Sequence, residues 1–161
     1  MKFLLRPMAY FLFFIFFACG DKNPNKLSGS IESTYSLKFK SVRIVQELDA
    51  TITIRYETPI LASSDSEYAL KMNLDFGGVA PEANVDQDAA IISSLSRYRK
   101  ATNATGQSVD DRATFPAVQR GNLRFFKYAQ NIGDPANGSF EIVFVTGETL
   151  IGDFSAFLSA P

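Results

Sequence analysis

Three stretches of this chain alternate between apolar and polar residues with a period of two, and this pattern constrains the fold more than any other feature. In residues 27–40 the apolar side chains, among them Leu37 and Phe39, occupy odd positions and polar side chains fill the even ones. Residues 50–57 and 68–76 repeat the alternation. Because successive side chains of a strand point to opposite faces, we predict three strands, each with one buried and one solvated face.

The parity of the first stretch changes after Lys40, where Val42 and Ile44 become the apolar residues. A shift of one residue turns every following side chain to the other face of a sheet. We therefore predict a bulge or a bend at this point. Before it, we expect Phe39 in the core, while Lys38 and Lys40 face water.

Apolar runs and turn residues predict the rest of the chain. Residues 123–128, 140–145 and 150–158 are typical of strands. The polar residues 102–116 predict a mobile loop, and residues 133–138, GDPANG, predict a turn.

Residues 89–99 fit two structures. Ile91, Leu95 and Tyr98 match a helical stripe, but serine and β-branched residues weaken a helix. A strand is slightly favoured over residues 95–100, and both alternatives stay open.

The last two predicted strands form a hairpin whose register follows from parity. Their larger apolar residues all lie at even positions. A two-residue turn starting at Gly147 would set even residues opposite odd ones, whereas an odd-length loop or one bulge would bring Ile142 near Phe154 and Phe140 near Ala156. We predict the odd loop or the bulge; a hairpin buried on both faces is the alternative.

These elements together predict an all-β fold. Seven or eight short strands with polar turns favour a single antiparallel β-sandwich or barrel. One cysteine in the chain rules out an internal disulfide. Stability must therefore come from the apolar core.

The first residues have the three parts of a secretory signal peptide. Lys2 and Arg6 are positive, residues 8–18 are an unbroken apolar run, and Cys19 follows the small residue Ala18. A transmembrane helix needs about 20 apolar residues. The run is too short for one.

Residues Phe16, Phe17, Ala18 and Cys19 resemble the lipobox of bacterial lipoproteins. The resemblance is confined to residues 1–19. It implies cleavage before Cys19, a diacylglyceryl thioether on its sulfur and, usually, an acylated amine. Two or three acyl chains would anchor the protein stably. The alternative is an ordinary signal peptide with Cys19 as a free thiol.

The expected organisation is a signal peptide over residues 1–18, a lipidated tether over 19–26 and a β-rich domain over 27–161. Within the lipoprotein resemblance, Gly20 in place of aspartate favours the outer membrane of a bacterial envelope.

The chain offers few catalytic groups. It contains no histidine, which is the commonest general base and metal ligand. Two carboxylate pairs remain, Asp86 with Asp88 and Asp110 with Asp111, and both lie in polar segments where solvated carboxylates are expected. Neither belongs to a calcium-binding loop motif. We expect no enzyme activity, no cofactor and no metal.

Basic and aromatic residues interleave over residues 97–100 and 120–128, a composition that suits single-stranded nucleic acid or an acidic glycan. Solvated strand faces explain the same pattern. Export and a negative net charge argue against nucleic acid. The expected partners are the membrane, through lipid on Cys19, and an envelope protein or glycan.

The sequence thus predicts a membrane-anchored envelope lipoprotein that acts as a non-enzymatic binding or structural module. The alternative is a lipocalin-like barrel that holds a small apolar ligand. Its cavity would be lined by Tyr35, Phe39, Tyr56 and Tyr68.

Overall fold

The protein is nearly all β. Its structure, a computed structural model, describes residues 24–47, 51–60, 66–128 and 131–161. Strand accounts for 61% of them, in one curled sheet that forms a half-barrel. The strands are β1 (Lys26–Ser28), β2 (Ser41–Gln46), β3 (Ile52–Pro59), β4 (Ser66–Leu74), β5 (Asp86–Asp88), β6 (Ile92–Thr102), β7 (Ser108–Thr114), β8 (Val118–Lys127), β9 (Pro135–Phe144) and β10 (Thr149–Ser159). Short 3₁₀ turns cover Ser30–Ser33 and Ala89–Ile91. None of the helical segments in these ranges has the length and apolar character needed to span a bilayer.

The sheet has the order β5-β8-β9-β10-β2-β3-β4-β6-β7, with β1 added beside β10. The all-β prediction is therefore confirmed. All but one of the strand pairs within the described ranges are antiparallel. The exception joins β10 to β2, where Leu158 and Ser159 pair in parallel with Ile44 and Val45. This pair joins the two halves of the sheet, and it is the one departure among these pairs from the predicted antiparallel arrangement.

The core lies inside the curl, where aromatic rings from both halves meet. Tyr56 on β3 is fully buried, and its ring centroid lies 4.9 Å from that of Phe39 and 6.1 Å from that of Phe140 on β9. The predicted apolar face of this strand is confirmed, since Ile52 and Ile54 are also buried, but Thr53, predicted on the solvated face, is buried as well. Such edge-to-face contacts between aromatic rings stabilise the core beyond the contribution of the apolar surface they bury.

The predicted strand over residues 27–40 is wrong in its secondary structure and right in its faces. Only Lys26–Ser28 pairs with a neighbour, and Ser30–Ser33 forms a 3₁₀ turn. Leu37 is nonetheless buried, Phe39 is half-buried against the core, and Lys38 is exposed. Irregular chain can place alternate side chains inside and outside as a strand does, so alternation alone did not identify the element.

The chain bends at Lys40, as predicted, and β2 then begins. The last two residues of the predicted tether contact β10, since Lys26 belongs to β1 and the side-chain oxygen of Asn25 accepts a hydrogen bond from the Ser155 amide. The predicted signal peptide and Cys19 lie outside the described residues.

The predicted mobile loop over residues 102–116 is wrong, because Ser108–Thr114 forms strand β7 at the edge of the sheet. Residues 89–99 resolve into a 3₁₀ turn followed by β6, so the strand alternative is confirmed over 95–100. The predicted turn over 133–138 ends early, because β9 begins at Pro135.

The parity of the C-terminal hairpin is confirmed. The Phe144 amide donates to the Glu148 carbonyl oxygen at 2.9 Å, and this bond closes a loop of three residues, 145–147, just before β10 begins. Gly147 in this loop has a φ of 85°. Even residues face even ones, but the partners differ from those predicted, since Ile142 lies opposite Leu150 and Phe140 opposite Gly152. The hairpin is not buried on both faces, because Ile151 on β10 and its partner Glu141 on β9 are exposed.

Candidate functional site

Three basic side chains lie next to one another across the outer face of β2, β3 and β4. Arg43 is the direct cross-strand partner of Arg55, and Arg55 is the direct partner of Lys71. We call these three residues the basic row. Directly opposed residues have Cβ atoms about 5 Å apart, and like charges in such positions destabilise a sheet.

The central guanidinium of the basic row is held in place by neighbouring polar groups. Glu47 Oε1 lies 3.4 Å from Arg55 Nη2 and also accepts a hydrogen bond from Thr53 Oγ1 at 3.1 Å. Thr53 is itself buried and also contacts Asn73 Oδ1 at 2.9 Å. Arg55 Nε is buried and has no hydrogen-bond partner among the described residues. The row therefore carries three positive charges on paired strands, and Glu47 is the carboxylate bonded to its central residue.

Arg55 separates two open concavities on this face. One has a volume of about 500 Å³ and includes Lys71 and Asn73 in its walls. The other, of about 280 Å³, is lined in part by Tyr68 and Arg112.

Aromatic rings form the wall of the smaller concavity. The rings of Tyr68 and Tyr98, which pair directly across β4 and β6, lie 5.7 Å apart. Arg112 lies over the Tyr98 ring at 4.3 Å. At such a site a cation can bind the anionic group of a ligand, while the neighbouring aromatic ring packs on the apolar face of a sugar ring.

The first candidate carboxylate pair is divided between two structural roles. Asp86 accepts two hydrogen bonds from Arg124, each 2.6 Å long. The hydrogen bond from Arg124 holds the pKa of Asp86 below its usual value. Asp88 instead caps a 3₁₀ turn by accepting from the Ala90 amide at 2.8 Å.

The second candidate pair joins β7 to β6. Tyr98 Oη donates to Asp110 at 3.0 Å and Arg112 donates at 3.3 Å, and both bonds lower the pKa of Asp110, the tyrosine most strongly. Asp111 pairs with Arg97 at 2.8 Å. Each carboxylate thus has a structural partner. Within the ranges that the structure describes, no group of three histidine, cysteine or acidic residues is placed to hold a metal ion.

The four aromatic residues expected to line a lipocalin-like cavity do not surround a common space. The Tyr35 ring packs 5.0 Å from that of Phe115, and Tyr56 is buried with Phe39. Tyr68 lies on the outer face, on the same side as its partner Glu57. The geometry gives this alternative no support.

Sequence reasoning identified Tyr98 within a basic and aromatic segment but missed the basic row. Its members are far apart in the chain and meet only through the strand register. The usable signal was that Arg43, Arg55 and Lys71 each stand between two apolar residues of a predicted strand. Comparison with protein-family models, with curated proteins and with solved structures finds no match.

Proposed function

We propose that this protein is a lipid-anchored lipoprotein of the bacterial envelope that binds an anionic ligand in its outer-face concavities, without chemical conversion. The anchor is lipid on Cys19, which the lipobox-like residues 16–19 support. The outer membrane is the membrane that Gly20 favours. The β domain is the binding module.

The observation that carries the binding role is the basic row. Arg43, Arg55 and Lys71 are directly opposed, an arrangement that costs stability in the absence of a counter-charge. Of the carboxylates in the described ranges, that of Glu47 alone lies within 4 Å of Arg55, and an anionic ligand would supply further counter-charge to the row and relieve this repulsion. Tyr68, which is half-buried beside the row, adds a surface on which a sugar ring can pack. We therefore propose an acidic glycan as the ligand class.

The test is titration of the purified protein with polygalacturonate, a polysaccharide of uronic acids, with neutral dextran as the negative control. Arg55→Gln combined with Lys71→Gln should raise the Kd at least about tenfold, because each charge-assisted hydrogen bond contributes about 1.5–3 kcal/mol. Affinity should also fall as salt rises.

Arg120→Gln is the matched control. Arg120 is exposed on β8, in the other half of the sheet, opposite Val143. Its loss should leave the Kd unchanged. Equal weakening by Arg120→Gln, or an unchanged Kd in the double variant, would contradict a specific site at the basic row.

A further inference from the structure

Large apolar side chains are exposed at one end of the half-barrel. Phe157 is 68% exposed, Val79 72%, Ile132 54% and Phe126 48%. These are four of the eight large apolar side chains that are exposed in the described part of the chain. We call these four residues the apolar end. Exposed apolar groups of this kind mark binding or membrane-contact surfaces when they occur together.

Strand pairing brings Phe157 and Ile132 to the same place. Phe157 on β10 lies opposite Pro135, the first residue of β9. Ile132 precedes Gly133, whose amide donates to the carbonyl oxygen of Leu158 at 2.8 Å.

Phe126 and Val79 reach this end from the neighbouring elements. Phe126 lies in the bulge of β8 beside Lys127, which pairs with Asn137 near the start of β9. Val79 and Tyr128 line one concavity of about 220 Å³.

The N-terminal chain leaves the domain toward the apolar end. Strand β1 runs antiparallel to β10, with Lys26 opposite Asp153. Before it, Asn25 Oδ1 accepts a hydrogen bond from the Ser155 amide at 2.5 Å. The chain that precedes Lys26 therefore runs in the direction of Phe157, two residues beyond Ser155.

The tether is too short to separate the lipid from this end by much. Five peptide steps join Cys19 to Pro24. At no more than about 3.6 Å each, they span about 18 Å. Lipid on Cys19 would consequently keep the apolar end within reach of the membrane surface.

We infer that the apolar end docks on the lipid surface to which Cys19 is anchored, so that the domain has a fixed orientation on the membrane. This inference rests on the proposed lipidation of Cys19. Moving apolar side chains such as Phe157 and Ile132 from water into the membrane interface lowers their free energy. The exposed cations Lys26 and Lys127 would attract anionic lipid headgroups beside them. A second protein chain on this surface is the competing occupant.

The test uses tryptophan as a depth probe, since the chain contains none. Phe157→Trp and, as the matched control, Val145→Trp are reconstituted as the lipidated full protein in vesicles of phosphatidylcholine and phosphatidylglycerol with brominated acyl chains. Val145 is 60% exposed in the loop at the other end of β9 and β10. Circular dichroism and thermal melts check that both variants fold.

Bromine should quench the fluorescence of Phe157→Trp at least about twofold more than that of Val145→Trp. Equal quenching would overturn the inference. So would a blue-shifted emission of the Phe157→Trp variant that bromine leaves unchanged, and this second result would assign the surface to contact with a second copy of the chain.

Mass spectrometry of the same preparations separates the two proposals. Lipid on Cys19 with no selective quenching refutes docking alone, whereas absence of lipid on Cys19 refutes the anchor on which docking rests.

Discussion

Tyr56 shows how single residues fix the packing of the two halves of the sheet. Its ring lies between Phe39 and Phe140, and its hydroxyl donates to the Asp153 carbonyl at 2.9 Å. Gly152 gives it space, because a Cβ there would lie 2.8 Å from the Tyr56 hydroxyl oxygen and 2.4 Å from Phe140. Alternation predicted that Tyr56 is buried. It could not predict Gly152, because that requirement comes from residues far away in sequence.

Burial, and after it the nearby Asp153 carboxylate, raises the pKa of Tyr56. The folded state therefore holds the phenol proton more tightly than the unfolded chain, whose tyrosines titrate near pH 10. We predict that the stabilising contribution of Tyr56 is complete below about pH 10 and is lost as pH rises above it.

Urea unfolding of the wild type and of Tyr56→Phe between pH 8 and pH 11 measures this effect. Tyr56→Phe should cost about 1 kcal/mol at pH 8, where the hydrogen bond to Asp153 is lost, and should show a shallower fall above pH 10. Tyr68→Phe, on the outer face, is the control for the loss of a phenol hydroxyl and is measured over the same pH range. Identical slopes for the wild type and Tyr56→Phe would contradict the assignment.

At the scale of elements, alternation located β3 and β4 well because each has one buried face and one solvated face. Alternation failed to predict strands whose formation depends on contacts with residues far away in the sequence. Strand β7 is polar on both sides and is held at the sheet edge by the pairs Arg97–Asp111 and Tyr98–Asp110, which no local pattern announces. Pro135 begins β9 because the first residue of a strand needs no ladder donor.

The hairpin loop depends on the conformation of Gly147. Its φ of 85° lies in the left-handed region, and a Cβ there would meet no atom within 4 Å. Gly147→Ala should therefore lower the free energy of unfolding by about 1 kcal/mol through backbone strain alone. Gly147→Asn should cost less, because asparagine tolerates this region.

Chemical denaturation of both variants tests the three-residue loop. Equal stability of wild type and Gly147→Ala would indicate a loop with a different backbone. So would a larger loss for asparagine than for alanine.

At the scale of the whole molecule, the proposed function depends on two surfaces and on a proposed lipid anchor. The basic row lies on the outer face of β2, β3 and β4, and the apolar end lies where β1 leads back toward Cys19. The sequence was sufficient to predict the fold class, and it suggested the hypothesis of a lipid anchor on Cys19. Neither surface could be predicted, because each is assembled from strands whose register and curvature the sequence does not state.

The central claim is that Cys19 carries the lipid that places this binding module on a bacterial membrane. The direct measurement is metabolic labelling with a palmitate analogue, followed by mass spectrometry of the mature N-terminus, in wild type and Cys19→Ser. We expect label in the wild type alone, on a chain that begins with diacylglyceryl Cys19. Equal labelling of both proteins, or a wild-type chain with an unmodified Cys19, would contradict the claim.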